Sequence, residues 1–224
     1  MTSITYRSAA EINSAMLNVY NNMALAVANS MIVSLLVASS PALMQFLFTG
    51  AMKWIVMLAP LAFILLLSFG MEKLTKPQAQ LALHGFAALM GASFATIFVV
   101  FNIGSIVSAF MAAAVLFATM SFYGYFTKTS LDSVGKWLFV GLIAIIIASI
   151  VNIFIGSTVM QMVISAIAIL IFLGFTAYDT QKIREQLMEE RGYVVELYGA
   201  LTLYLDFINL FMYLLQFLGK KRND

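Results

Sequence analysis

The sequence contains no cysteine. That excludes a disulfide frame, a thiolate-ligated zinc and an iron–sulfur site. Charge is scarce too: Asp, Glu, Lys and Arg make up 10% of the 224 residues, against about 25% in a soluble domain. Hydrophobic residues make up 62%. Together these figures exclude a water-soluble fold and leave an all-α polytopic membrane protein, read as one integral-membrane domain over residues 1–224. No internal repeat or linker divides it. Formal net charge is +2 and no basic patch is interleaved with aromatics, so nucleic acid is not an expected partner. The opening MTSITYRSAAEINSAM is polar for too long to be a signal peptide, so the first apolar segment is expected to stay in the mature protein. The last apolar segment has no mid-membrane lysine, which argues against a retinal Schiff base and a light-driven pump. Methionine is plentiful but lacks clustered Met-x-x-Met spacing, so it reads as packing filler rather than a copper path.

What is present is a series of apolar segments, seven of them long enough to cross at about 20 residues each. They lie near 16–37, 54–71, 80–101, 105–126, 137–155, 159–178 and 197–219, with the second and fifth short. The stretch between the first and second is read as a connection containing Pro41. Trp54 and Trp137 stand at segment starts, where an aromatic belt places them. Arg7, Lys73, Lys76, Lys128, Lys136, Lys182, Arg184 and Arg191 fall on one side of this arrangement. Lys53 and the tail residues Lys220, Lys221 and Arg222 fall on the other. The positive-inside rule places the larger group, and with it the N-terminus, in the cytoplasm. The basic tail opposes this: it is either translocated, or the last helix turns back before crossing fully.

Asp206 is the only charged residue in the last apolar segment, LYGALTLYLDFINLFMYLLQFLG. An acid at the centre of a bilayer-length helix costs about 2.5–3.5 kcal/mol on insertion scales, so it faces protein or a wet cavity and marks a candidate functional site. A second acid, Asp179, closes the sixth segment in FLGFTAYDTQ. If the sixth and seventh helices form a hairpin turning at Gly192, the two acids are equally far from the turn to within one residue. They then face each other. Thr202, Asp206, Asn209, Tyr213, Gln216 and Lys220 recur at alternating spacings of four and three, which puts them on one helical face. That polar face lines a pathway or serves as hydrogen-bond glue between helices. Two close carboxylates in a medium of low dielectric share one proton, which makes them a proton sensor. Deprotonated, Asp179 and Asp206 attract cations. Calcium wants six to eight oxygens, so the pair is expected to be a weak, transient metal site.

The run LYLDFINLF, with FTAYDTQKI and SFYGYFTKTSL, resembles the Bax inhibitor-1 family, the transmembrane Bax-inhibitor-motif proteins, in its bacterial branch. The likeness covers most of the chain, and LYLDFINLF is its specific part. It implies a seven-transmembrane-helix bundle in which six helices surround a central C-terminal one, in a bacterial inner membrane. It also implies a pH-sensitive calcium leak with Asp179 and Asp206 as sensor and no bound cofactor. A basic latch at the end of the second helix is implied as well. Lys73 stands nearest to that place, although a lysine does not reproduce arginine's bidentate pairing. The glutamate that the family's bacterial example carries in its second helix has no counterpart in 55–70.

Three functions compete on these residues. The first is a proton-gated leak for calcium or another cation. Cation attraction and helix repulsion change with the same proton, so either direction of pH gating follows. The second is an intramembrane aspartyl protease, for which a shared proton is also suited. Asp206 stands in Tyr-Leu-Asp rather than Gly-x-Gly-Asp, however, and the one Pro-Ala-Leu, at 41–43, is misplaced, so the protein is not expected to be an enzyme. The third is a non-catalytic regulator that binds other membrane proteins, such as proteases or channels. His84, the only histidine, reads as a packed residue with a proton relay as the alternative. Asn152 reads as an interhelical hydrogen bond, and Glu72 with Lys73 as an interfacial ion pair or gate pair.

Overall fold

The computed structural model describes residues 8–70, 73–189 and 192–222. Arg7, Glu72 and Arg191, used in the reading above, lie outside the described residues. With backbone groups deprived of water, helices that satisfy their own hydrogen bonds are the economical solution, and the described chain is built of helices. Ser8 opens α1 (Ala9–Ser39) with a reciprocal cap: its hydroxyl accepts from Glu11 N at 3.3 Å, and Glu11 accepts from Ser8 N at 2.7 Å. Ser40 then caps α2 (Pro41–Phe48), whose proline occupies the first turn, where a missing N–H costs nothing. Next come α3 (Met52–Gly70), with Pro60 inside it, and α4 (Lys76–Phe94), continued by the short α5 (Ile97–Val100). Asn102 caps α6 (Ile103–Phe126) by accepting from Ser105 N at 2.8 Å. The remaining helices are α7 (Asp132–Ile155), α8 (Thr158–Glu189) and α9 (Tyr193–Leu218).

Six of these segments are long and apolar enough to cross a membrane: α1, Lys76–Val100, α6, α7, α8 and α9. The second expected span is different. A helix, α2, stands where the sequence reads a plain connection, and it meets Met52–Leu65 at a bend of 78°. Only if that bent pair is counted as one span does the number reach seven. The local cause is legible: Ser40 and Pro41 start a helix of their own, and Gly50 at φ 58 breaks it before α3. The fifth span is also longer than expected, because α7 starts at Asp132 rather than near Trp137.

Contacts group the chain into two compact units: Met1–Phe101 with Leu187–Tyr204, and Asn102–Gln186 with Leu205–Asp224. In the first, α1 and α4 approach so closely that a Cβ on Gly91 would collide with the Ser30 carbonyl. Ser30 Oγ lies 2.8 Å from the Ala87 carbonyl and 2.7 Å from the Tyr204 hydroxyl. With one proton to give, it donates to the carbonyl and accepts from Tyr204. Tyr204 is fully buried and meets Phe86 edge-on at 5.9 Å. Asn29 Nδ2 donates to the His84 carbonyl at 2.8 Å, and Ser93 Oγ to the Val56 carbonyl at 2.8 Å.

The second unit uses the same device. Gly124 lets the α6 backbone press against Ala177 of α8, and Gly135 leaves room for the Tyr178 ring. The chain end is tied in as well: Lys220 N donates to Ser105 Oγ at 2.9 Å, and Asn102 N donates to the Lys220 carbonyl at 3.2 Å. Helix α9 runs unbroken to Leu218, so it does not turn back, and Lys220 lies at the N-terminal end of α6.

Close backbone approach makes a sharp prediction. Gly91→Ala is expected to cost about 1–3 kcal/mol, the usual toll of overpacking, read as a lowered thermal midpoint in detergent. Gly85→Ala is the control, because its nearest neighbour is Phe63 Cζ at an ordinary 3.8 Å. Equal midpoints for the two variants would contradict the packing described.

Candidate functional site

Asp206 of α9 is 5% exposed, and Asp179 of α8 is half-buried. Their carboxyl groups lie within hydrogen-bonding reach of each other, in the second unit. Among the described residues neither forms an ion pair; Lys182, one turn beyond Asp179, is engaged with Asp132 at 3.8 Å and Glu185 at 3.7 Å. Asp206 Oδ2 is buried and meets no donor. Two ionised carboxylates offer acceptors only, so their contact becomes a hydrogen bond only when one of them carries a proton.

The segment around Asp179 is firmly seated. Ala177 and Tyr178 rest against Gly124 and Gly135. Thr176 and Thr180 are fully buried, and Thr180 Oγ1 reaches Ser121 Oγ at 3.3 Å. Gln181 accepts from Leu131 N at 2.8 Å and donates to the Thr129 carbonyl at 3.0 Å. On α9, Phe207 beside Asp206 packs edge-on against Phe110 at 5.4 Å and Phe117 at 5.6 Å. The acid pair therefore stands on two well-fixed helices, with hydroxyls and an amide flanking Asp179 and aromatic rings packed beside Asp206.

The rest of the polar face of α9 divides by what it binds. Thr202 Oγ1 donates to the Tyr198 carbonyl at 3.0 Å, and Asn209 Nδ2 to the Leu205 carbonyl at 2.8 Å, both one turn back in the same helix. Tyr213 stacks on Phe172 with ring centres 5.8 Å apart, and its hydroxyl is within hydrogen-bonding reach of Ser149. Gln216 accepts from Gln161 Nε2 at 2.6 Å. Gln161 in turn accepts from Asn152 Nδ2 at 3.3 Å, and Asn152 Oδ1 accepts from Ser157 N at 3.1 Å. This chain joins the ends of α7, α8 and α9. Lys73 is exposed just ahead of α4, in the first unit, and His84 is half-buried. Among the described residues no three His, Cys, Asp or Glu side chains converge on one point, so Asp179 and Asp206 make up the whole acidic set available to a cation there.

Two residues escaped the sequence reading. Gln161 was passed over although it is the partner of Gln216; an amide in an otherwise apolar run was the available signal. Arg184 was counted only as a topology charge, yet its guanidinium lies over the Tyr125 ring at 5.1 Å.

Residues 12–223 match the protein family described as Inhibitor of apoptosis-promoting Bax1. The chain is 37% identical over 220 residues to the inner membrane protein YbhL of Escherichia coli K12, covering 95% of this chain and 94% of that protein. It is 37% identical over 212 residues to the uncharacterized protein RP147 of Rickettsia prowazekii, with 93% and 90% covered. An uncharacterized membrane protein of Streptococcus pyogenes serotype M3 is 41% identical over 142 residues, with 62% and 61% covered.

The amide chain generates its own test. In a double-mutant cycle of thermal unfolding, Gln161→Leu and Gln216→Leu are expected to couple by about 0.6–2 kcal/mol, the range for hydrogen bonds between membrane helices. Strictly additive effects would show that the two amides do not bind each other.

Proposed function

The chain belongs to the family described as Inhibitor of apoptosis-promoting Bax1, and we propose that it acts there as a pH-sensitive calcium leak of a bacterial inner membrane. The observation that carries this reading is the contact between the half-buried Asp179 and the buried Asp206, neither of which has a cationic partner among the described residues. With one proton between them they bind α8 to α9. Without it, two negative charges repel in a contact shielded from water, and the same charges attract a cation. A two-state gate needs a contact that contributes differently in its two states, and the shared proton supplies that difference. Thr202, Asn209, Tyr213 and Gln216 continue the polar face and are assigned to the path. Lys73 is kept as the latch candidate.

In this reading α2 and α3 together complete a seventh span, and α9 is the central helix of the bundle. Its 18-residue core is 56% buried, more than that of any other candidate span, which supports that assignment. The N-terminus is assigned to the cytoplasm from the distribution of lysine and arginine. The Escherichia coli relative is an inner membrane protein by name, which supports that membrane. The pair is assigned to gating rather than to catalysis, in keeping with the Tyr-Leu-Asp context of Asp206. A second reading, a regulator that binds other membrane proteins, is favoured by the family's description.

The test is calcium flux into liposomes holding the purified protein, compared across a series from about pH 6 to 8, on either side of neutrality. Wild type is expected to show a pH-dependent flux that Asp206→Asn and Asp179→Asn each flatten. Unchanged pH profiles in both variants would remove the gate from the pair. Absence of flux at every pH from folded protein would leave the regulator as the better reading.

A further inference from the structure

Between α7 and α8 lies an open groove of about 370 Å³, within the range of ligand-binding cavities. Its lining is Gly135, Lys136 and Phe139 from α7 with Phe175 and Tyr178 from α8. Gly135 shapes it, because a Cβ there would stand 2.6 Å from the Tyr178 ring. Lys136 is exposed and, among the described residues, in no ion pair. The acid one turn before it, Asp132, is already engaged by Lys182 and by the Ser130 hydroxyl at 3.0 Å. The Tyr178 hydroxyl likewise has no hydrogen bond among the described residues, so two of the lining residues carry a donor not otherwise engaged. The remaining walls are the rings of Phe139 and Phe175.

The surface around the groove fixes what could fill it. Trp137, next to Lys136, is 77% exposed, as befits a side chain at the boundary between headgroups and hydrocarbon. From Phe139 onward the exposed residues of α7 are apolar, including Val140, Ile143 and Ile147. A cation and a phenol therefore sit at the polar end, and an aromatic and aliphatic wall follows toward the membrane interior. That is the order of groups along a phospholipid: a phosphate, then an acyl chain. A free inorganic anion would leave the aromatic wall unused, whereas a zwitterionic lipid would bring its own cation toward Lys136.

We propose that this groove is a binding site for an anionic phospholipid, with the phosphate held by Lys136 and the Tyr178 hydroxyl and one chain laid along Phe139 and Phe175. The assignment does not depend on ion conduction. Of the two tryptophans in the chain, Trp54 can be replaced by phenylalanine so that Trp137 alone reports on the site. The full chain is then reconstituted in phosphatidylcholine with trace brominated phosphatidylglycerol or brominated phosphatidylcholine, and quenching of Trp137 is compared. One lysine at a membrane surface gives about a fivefold preference for an anionic lipid. A preference of that order for brominated phosphatidylglycerol is expected, retained in Lys136→Arg and lost in Lys136→Gln. Equal quenching by the two lipids, or a preference that survives Lys136→Gln, would overturn the proposal. Loss of the preference in millimolar inorganic phosphate would reassign the site to a soluble anion and overturn it as a lipid site.

Discussion

An acid held among apolar helices must be neutralised where it stands, and what stands beside Asp206 is another acid. No lysine, arginine or histidine forms an ion pair with either carboxyl among the described residues. The remaining way to make the contact favourable is a proton. This one requirement links three levels of the molecule. Sequence places the two acids on neighbouring helices, packing fixes those helices closely enough for the carboxyls to meet, and chemistry makes the strength of the meeting depend on protonation.

The packing that holds α8 in position is achieved with small side chains and backbone acceptors rather than with charge. Gly124 and Gly135 admit the chain on either side of Ala177 and Tyr178, and Gln181 binds a backbone N–H and a carbonyl at the start of α7. The first unit repeats the pattern with Gly91 against Ser30 and with hydroxyl and amide donors on the carbonyls of Ala87, His84 and Val56. In hydrocarbon the attraction between apolar side chains gives little driving force for helix association. Close approach and directed hydrogen bonds take its place. Neither device tolerates much relaxation, so the position of Asp179 along α8 is closely determined.

Much of this is legible in the sequence. Hydropathy alone separates the apolar segments, and the even spacing of Asp179 and Asp206 about Gly192 anticipates their meeting, because rise per residue is constant along a helix. Other features were not legible for identifiable reasons. The helix at Pro41–Phe48 depends on Ser40 and Pro41 acting together as a start signal inside a stretch that hydropathy treats as a gap. The partner of Gln216 is distant in sequence, and no periodicity links α8 residue 161 to α9 residue 216. The polar face of α9 looks uniform in sequence, yet Thr202 and Asn209 satisfy themselves within the helix while Gln216 reaches outward. Spacing reports which face a residue is on, not what it finds there.

That difference along α9 bears on why a carboxyl is used at all. Gln161 and Gln216 show that the chain can join α8 to α9 with neutral amides, which need no proton and bring no net charge into the membrane. Had Asp206 served only to join helices, an asparagine or glutamine would supply the same bond at every pH. Instead the chain keeps two acceptor-only groups together and leaves Asp206 Oδ2 without a donor. An amide contact between α8 and α9 is constant, and the carboxyl contact is conditional. Placed on the same pair of helices, the constant contact can keep one end joined while the conditional one changes. Stability alone gains nothing from that division, whereas the gate proposed above requires it.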